Sequence, residues 1–310
     1  MTQQCADTVF LVRPAAFGFN AETAATNRLQ RTDALSPAEA AARATREFDA
    51  LVAALRSEGV TACVVADTPE PVKPDALFPN NWVSWHADGT VVLYPMQARN
   101  RRLERRRAIL DEVAAAAGFD VRRTLDLTAH ENEGRFLEGT GSLVLDHVAR
   151  VAYACRSPRT DARVLAQWCE AMGYAAEVFD ACDRDGVPFY HTNVVMGIGR
   201  RFAAIGAECI AAADRGRVLA RLAAGGREVI ELTRPEIEAF AGNLLELATW
   251  DEALGDSGVL VLSATARARL APERYARLAA ATDCVLAVPV PTIERLGGGS
   301  VRCMLGEVFR

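Results

Sequence analysis

The chain has 310 residues, 50% hydrophobic and 24% charged, enough to bury one large α/β domain and too apolar to stay disordered. A formal charge of −5 disfavours nucleic acid as a main partner, because phosphate binding needs a basic surface. No apolar run reaches the roughly 20 residues of a membrane span. The start, "MTQQCADTVFLVRP", also lacks the basic and apolar regions of a secretory signal, so a cytoplasmic protein is expected.

In chain order, "TVFLVRP" reads as a strand, followed by the helix "SPAEAAARATREFDALVAALRSEG" and the strand "VTACVVA". "NWVSWHADGTVVLYP" reads as a hairpin turning at Asp88-Gly89. A helix from about Arg101 to Ala117 follows, and "FDVRRTLDL" brings the chain back. "GSLVLDHVARVAYACR" is the next hairpin; its helix, "TDARVLAQWCEAMGY", takes Thr160 or Asp161 as N-cap. "TNVVMGIGRRFAAIG" opens a third unit, with "CIAAADRGRVLARLAAGG" and "REVIEL" completing it. The fourth is "NLLELATWDEALGDSGVLVLS", then "APERYARLAAATD" and "CVLAVPV". For the fifth, the terminal "VRCMLGEVF" pairs with the N-terminal "TVFLVRP".

Two strands, a helix and a strand thus recur five times without a strict sequence repeat or a dividing linker, so residues 1–310 are read as one α/β domain. A ring of ββαβ units around a central cavity fits this pattern and protects the sheet edges. A doubly wound sheet fits less well, because the hairpins imply antiparallel pairing and no GxGxxG or GxxxxGK[ST] loop is present.

Four polar clusters interrupt hairpin entries: "PDALFPNNW", "FLEGTGSL", "FYHTNVV" and "GGGSVRC". A ring would bring them to one end of its channel, where loops on a rigid scaffold build sites. Of four histidines, His86, His130 and His147 lie near turns or in a polar loop and are expected at the surface. His191 lies between an aromatic pair and an apolar strand, which suggests burial and, beside a thiol, the role of base or proton shuttle. Glu138 between Leu137 and Gly139 is either a strand-end surface carboxylate or one facing a channel. The eight cysteines show no CxxC or metal-ligand spacing, and most are expected to be reduced core residues. Cys303, reached through three glycines, is either one more such thiol or a candidate nucleophile. The basic run Arg99 to Arg107 reads as a solvated helical turn. No metal and no cofactor are expected.

Together, PD-x-x-F, the E-G-T segment, the isolated histidine and the terminal G-G-G-x-x-x-C resemble the guanidino-group-modifying superfamily, from "FLVRPAAFGFN" to "GGGSVRCMLGEV". That superfamily includes arginine deiminases, dimethylargininases, amidinotransferases and citrulline hydrolases. The resemblance implies a five-bladed α/β propeller with the active site in its channel. It implies that Cys303 attacks the guanidino or ureido carbon, that His191 protonates the leaving amine and activates water, and that Glu138 holds substrate nitrogens and orients His191. Asp75, Phe78 and Asn193 would line the substrate pocket, with Arg101 and Arg159 gripping the α-carboxylate. Phe17 to Asn20, with Phe19 toward the substrate, fall where relatives have a mobile lid.

Dimethylargininases carry an acidic pair where this chain has Asn80-Asn81. Amides cannot replace a charge facing a cation, but they offer donors and acceptors to a neutral ureido group. Citrulline is therefore the expected substrate, a free amino acid being the expected partner. Arginine or methylarginine hydrolysis, amidino transfer and a non-catalytic amino-acid sensor remain as alternatives. A homo-oligomer also remains open.

Overall fold

Ser36 accepts a hydrogen bond from the Glu39 backbone N–H, with Pro37 at the first helical position. In this capping box the Glu39 carboxylate is the acceptor of the Ser36 backbone N–H, and the box starts the helix Pro37–Ser57. Its residues Ala40, Ala44, Phe48, Leu51, Val52 and Leu55 recur every three or four positions and are buried against the first strands. Asp161 caps the next long helix but one, Ala162–Met172, by accepting from the N–H groups of Arg163 and Val164. The computed structural model describes residues 3–251 and 255–310.

The described residues contain fifteen strands: β1 (Thr8–Arg13), β2 (Thr61–Ala66), β3 (Val83–Trp85), β4 (Thr90–Leu93), β5 (Arg123–Asp126), β6 (Val144–Asp146), β7 (Val151–Cys155) and β8 (Ala175–Phe179). They continue with β9 (Met196–Ile198), β10 (Phe202–Ile205), β11 (Glu228–Glu231), β12 (Leu245–Asp251), β13 (Gly255–Ser263), β14 (Cys284–Val288) and β15 (Gly306–Val308).

One pairing rule repeats. A strand forms an antiparallel hairpin with the next, and that second strand takes a parallel partner after a helical crossover. The triplets are β3-β4-β5, β6-β7-β8, β9-β10-β11 and β12-β13-β14. The fifth joins the chain ends: β15 pairs antiparallel with β1, Thr8 opposite Val308, and β1 runs parallel to β2. The antiparallel hairpins set this fold apart from a doubly wound sheet. Gly89, with a φ of 81°, makes the predicted Asp88-Gly89 turn. The expected turn of the fourth hairpin falls on 252–254, outside the described residues.

This rule places the chemistry. A turn precedes the first strand of each hairpin: Pro79–Asn81 before β3, Gly139–Ser142 before β6, Thr192–Val194 before β9, the turn ending at Asn243 before β12, and Val301–Met304 before β15. Gly139–Ser142 packs on both Pro79–Asn81 and Thr192–Val194, while Val301–Met304 packs on Pro79–Asn81.

Three local expectations are corrected. The helix expected from Arg101 to Ala117 is two, Arg99–Arg102 and Arg107–Ala117, because the chain between them folds inward to bury the Arg101–Glu104 ion pair. The basic run is therefore not simply a solvated face. His86 and His147 are only 6% and 8% exposed. His86 shares a hydrogen bond with Ser84 Oγ, and His147 one with Tyr174 Oη. His130 keeps partial exposure and meets Gln167 Oε1 at 2.7 Å. Among the described residues no helix is long and apolar enough to cross a membrane. All eight cysteines are free thiols.

Candidate active site

The cysteine at the end of the glycine run is 3% exposed and sits in the helical turn Val301–Met304, not on the last strand. Nor do the glycines form a loose hinge. Gly298, at φ 61°, ends the helix Pro291–Gly297 in the left-handed region. A Cβ on Gly297 would lie 2.9 Å from the Phe78 ring, so the bare backbone lets that ring close the wall beside the sulfur. Cys303, Phe78, Asp75, Asn81, Arg101, Arg159, Tyr190 and His191 line one narrow pocket. The turns before β3, β9 and β15 supply its lining, and the turn before β6 joins them through the bond from Glu138 to His191.

Glu138 is fully buried and takes three kinds of donor. Its Oε1 accepts from the Gln97 backbone N–H at 3.0 Å; its Oε2 meets His191 Nε2 at 2.8 Å and Arg159 Nη1 at 3.3 Å. Burial would raise this carboxyl, but Arg159, His191 and Arg101 outweigh it and hold it well below the usual carboxylate range. An ionised carboxylate only accepts, so His191 carries its proton on Nε2 and keeps a lone pair at Nδ1. That Nδ1 lies against Gly141, where a Cβ would come within 2.7 Å of it and 2.5 Å of Asn81 Nδ2. Burial drives the imidazole down to about 4, against the upward pull of Glu138. His191 is therefore a neutral imidazole at pH 7.

Two predictions follow from this pair. Glu138→Gln removes the charge that fixes the tautomer and offers a donor in its place, and kcat should fall by up to about 10⁴-fold, the cost of the corresponding change in a serine-protease triad. Substrate affinity should change far less, which kcat and KM measured together will separate. Secondly, a histidine held near 4 stays unprotonated well below its ordinary range. The profile of kcat/KM should stay flat downward through pH 6.5 and lose activity only as pH falls through about 4. An acidic limb centred near 6.5 would contradict this placement.

Asn80 and Asn81 are both buried. Asn81 Oδ1 accepts from Arg101 Nη1 at 2.7 Å, and Asn81 Nδ2 donates to Asn80 Oδ1 at 3.0 Å. Asn80 Nδ2 has no partner. Asp75 Oδ2 accepts from Asn20 Nδ2 at 2.7 Å and Thr23 Oγ1 at 3.3 Å, while its Oδ1 is buried without a partner. Burial raises the Asp75 carboxyl despite Arg101 nearby.

Neither arginine presents an open fork. Arg101 Nε and Nη2 both donate to Glu104, and Nη2 also reaches the Phe78 carbonyl. Arg159 donates to Thr26 Oγ1, the Thr23 carbonyl and Glu138, and its guanidinium lies 4.9 Å from the Tyr190 ring centroid. Their guanidinium groups line the pocket while already bonded to protein partners. Phe19 lies outside this pocket, 39% exposed in an apolar groove with Phe17 and Leu35. Its neighbour Asn20 is the residue of that segment that enters the site.

Asn193 lies at the sulfur, its Nδ2 3.7 Å from Cys303 Sγ. Sequence reasoning missed two residues. Tyr190 donates its hydroxyl to the Gly298 carbonyl, and its ring lies 4.7 Å from the His191 ring at a tilt of 51°. Asn243 places Nδ2 3.3 Å from Cys303 Sγ. The signal for Asn243 was its position: it opens "NLLEL", the hairpin entry of the fourth unit, where the other four units carry their polar groups. Among the described residues no group of three or more His, Cys, Asp or Glu side chains could hold a metal ion.

Comparison with known proteins adds fold and family. The N-terminal domain of ArgZ, an arginine dihydrolase from the Ornithine-Ammonia Cycle in Cyanobacteria solved as a mutant bound to substrate, matches with a TM-score of 0.73 at 14% identity, covering 98% of this chain and 99% of that one. Unliganded AgrE matches with a TM-score of 0.74 at 15% identity, over 97% of this chain but 39% of its own. A dimethylarginine dimethylaminohydrolase adduct with 4-chloro-2-hydroxymethylpyridine matches with a TM-score of 0.61 at 17% identity, covering 99% and 100%. At such identities these likenesses speak for the fold alone. No curated protein matches the chain. The model of the family described as "N,N dimethylarginine dimethylhydrolase, eukaryotic" matches residues 13–310, nearly the whole sequence. On that match the chain belongs to this family, within the guanidino-group-modifying superfamily.

Proposed function

We propose that the chain is a cysteine-dependent hydrolase that cleaves a carbon–nitrogen bond of the ureido group of free citrulline, yielding ornithine, carbon dioxide and ammonia. The five strand triplets are read as blades of a closed ring, with this pocket in its channel. Cytoplasmic location belongs to the same reading.

The observation that carries the substrate choice is the orientation of the Asn81 amide. Arg101 can only donate, so the Asn81 atom that faces it at 2.7 Å must be the carbonyl oxygen. One N–H of Nδ2 goes to Asn80, and the other is left beside His191. Toward the reacting group Asn81 is thus a donor. A ureido carbonyl oxygen accepts such a hydrogen bond; a guanidinium, which has only donors, does not.

The chemistry then runs in two steps. Cys303 Sγ yields its proton to His191 Nδ1 and forms a bond to the ureido carbon, and the carbonyl oxygen takes up the negative charge near the Asn81 N–H. As the charge returns, one C–N bond breaks and His191–H⁺ gives its proton to the departing amine. Water, deprotonated by His191, attacks the same carbon, and the C–S bond breaks with the proton returning to sulfur. When ornithine leaves first, the released carbamic acid divides into carbon dioxide and ammonia.

A second reading, arginine as substrate, draws support from Asp75. Its buried Oδ1 lacks a donor, and the N–H groups of a cationic guanidinium would supply one. ArgZ is an arginine dihydrolase, and AgrE has been solved with ornithine. Incubating the purified protein separately with citrulline, arginine and dimethylarginine, and identifying the products, decides between them. Ornithine and ammonia from citrulline are expected. Citrulline accumulating from arginine would sink the substrate assignment, and no turnover of any of the three would leave a sensor. Added glycine appearing in a product would instead reveal amidino transfer.

A further inference from the structure

The sulfur of Cys303 has a donor that neither motif nor composition marked. Asn243 is fully buried, with Nδ2 3.3 Å from Cys303 Sγ. Its Oδ1 accepts the Arg302 backbone N–H at 3.1 Å, which fixes the amide the same way round as a backbone donor must. The two Nδ2 hydrogens then have one partner each: the Asn193 carbonyl at 3.0 Å and Cys303 Sγ. The amide therefore ties the nucleophile, the residue before it and the turn that follows His191 into one unit.

The backbone leading to this side chain is held under constraint. Phe240 has φ 64°, a left-handed conformation costly for a large aromatic residue. The Asn243 N–H bonds back to the Phe240 carbonyl at 2.9 Å, closing the turn. Gly242 packs so closely that a Cβ would lie 2.4 Å from the Val194 carbonyl oxygen. Strain of this kind persists where the surroundings over-determine a conformation, and here it sets the position of one amide.

We infer that Asn243 is a catalytic residue whose amide N–H donates to the Cys303 sulfur and steadies the charge that develops there as its proton passes to His191, the fourth unit's counterpart of Asn81, Glu138, His191 and Cys303 in the others. A N–H aimed at sulfur stabilises the charged form of the thiol over the neutral one and fixes the direction of attack. The role concerns the thiol itself, so it is measurable without any substrate, although its use in turnover rests on the hydrolase reading above.

The test is the pH dependence of iodoacetamide alkylation at Cys303, followed by peptide mass spectrometry so that the other seven cysteines do not interfere. In Asn243→Ala the midpoint should move up by about one pH unit, the loss of a charge-assisted hydrogen bond. Asn243→Asp keeps the shape and the acceptor for the Arg302 N–H, but sets a carboxylate against the sulfur; its midpoint should move further. In both, kcat should fall by about 10- to 100-fold with KM little changed. Should Asn243→Ala fail to fold, the near-isosteric aspartate variant carries the test alone. A folded Asn243→Asp protein with the wild-type alkylation profile would overturn the inference. A shifted profile in a protein that turns over none of the three amino acids would uphold the thiol's partner and remove the hydrolase reading instead.

Discussion

Cys303→Ala is expected to abolish turnover, by about 10⁶-fold if it behaves as loss of a hydrolase nucleophile does elsewhere, while leaving the amino-acid site intact. Removing one buried sulfur costs stability of order 1 kcal/mol, well within the reserve of a large domain. The side chains that would hold a substrate, Asn81, Asp75, Arg101 and Arg159, are all fixed by partners other than Cys303. Calorimetric titration of the alanine variant should therefore still detect binding. The wild-type protein, quenched in acid during turnover, should carry a covalent adduct at Cys303 alone. The adduct's mass reports the order of bond cleavage. A carbamoyl group means that ornithine left first; a group that retains the ornithine skeleton means that ammonia did. An alanine variant with measurable turnover, or a wild-type protein with no adduct under any quench, would end the covalent mechanism.

The pocket around Cys303 was legible because several local signals agreed. Asp-Gly turns, period-two apolar runs and capped amphipathic helices fixed the hairpins and crossovers, and the pairing of the chain ends followed from counting units. Polar segments at hairpin entries then pointed to the site, since a polar residue just before an apolar strand has to find a partner. Misreadings arose where partners lie far away in sequence. His147 meets Tyr174 and Phe309, and His86 stacks toward Trp168, so neither shows its burial through its own neighbours. The inward turn of Arg101 depends on Glu104 three residues on and on Asn81 twenty residues back; only the first is visible in a charge pattern.

The glycine run shows the same limit from another side. Its sequence reads as freedom, but freedom of the backbone and closeness of packing call for the same residue. Only the Phe78 ring against Gly297, and the left-handed cap at Gly298, reveal that the run is rigid. Asn243 escaped notice because one asparagine before a strand has many bland explanations. It acquires meaning from equivalence among five units, which depends on three-dimensional superposition of turns more than on any residue identity.

Asn81→Asp should change which substrate the pocket accepts. The new carboxylate keeps one oxygen on Arg101 Nη1, at a distance now suited to an ion pair, so the side chain should stay in place. What changes is the other atom. A donor N–H beside His191 becomes an anionic acceptor, which repels the oxygen of a ureido group and its developing negative charge. Losing one such donor costs about 10²- to 10³-fold in kcat, and kcat/KM for citrulline should fall at least that far. For arginine the sign reverses: Asp75, Glu138 and the new carboxylate together outnumber Arg101 and Arg159 once Glu104 is assigned to Arg101, so a buried cation meets a net negative pocket. The ratio of arginine to citrulline kcat/KM should therefore rise by two orders of magnitude or more, even if neither rate exceeds that of the parent protein. Steady-state kinetics on both substrates with the same preparation measures that ratio directly. An unchanged ratio would mean that Asn81 does not face the reacting group, and the choice of citrulline would lose its physical basis.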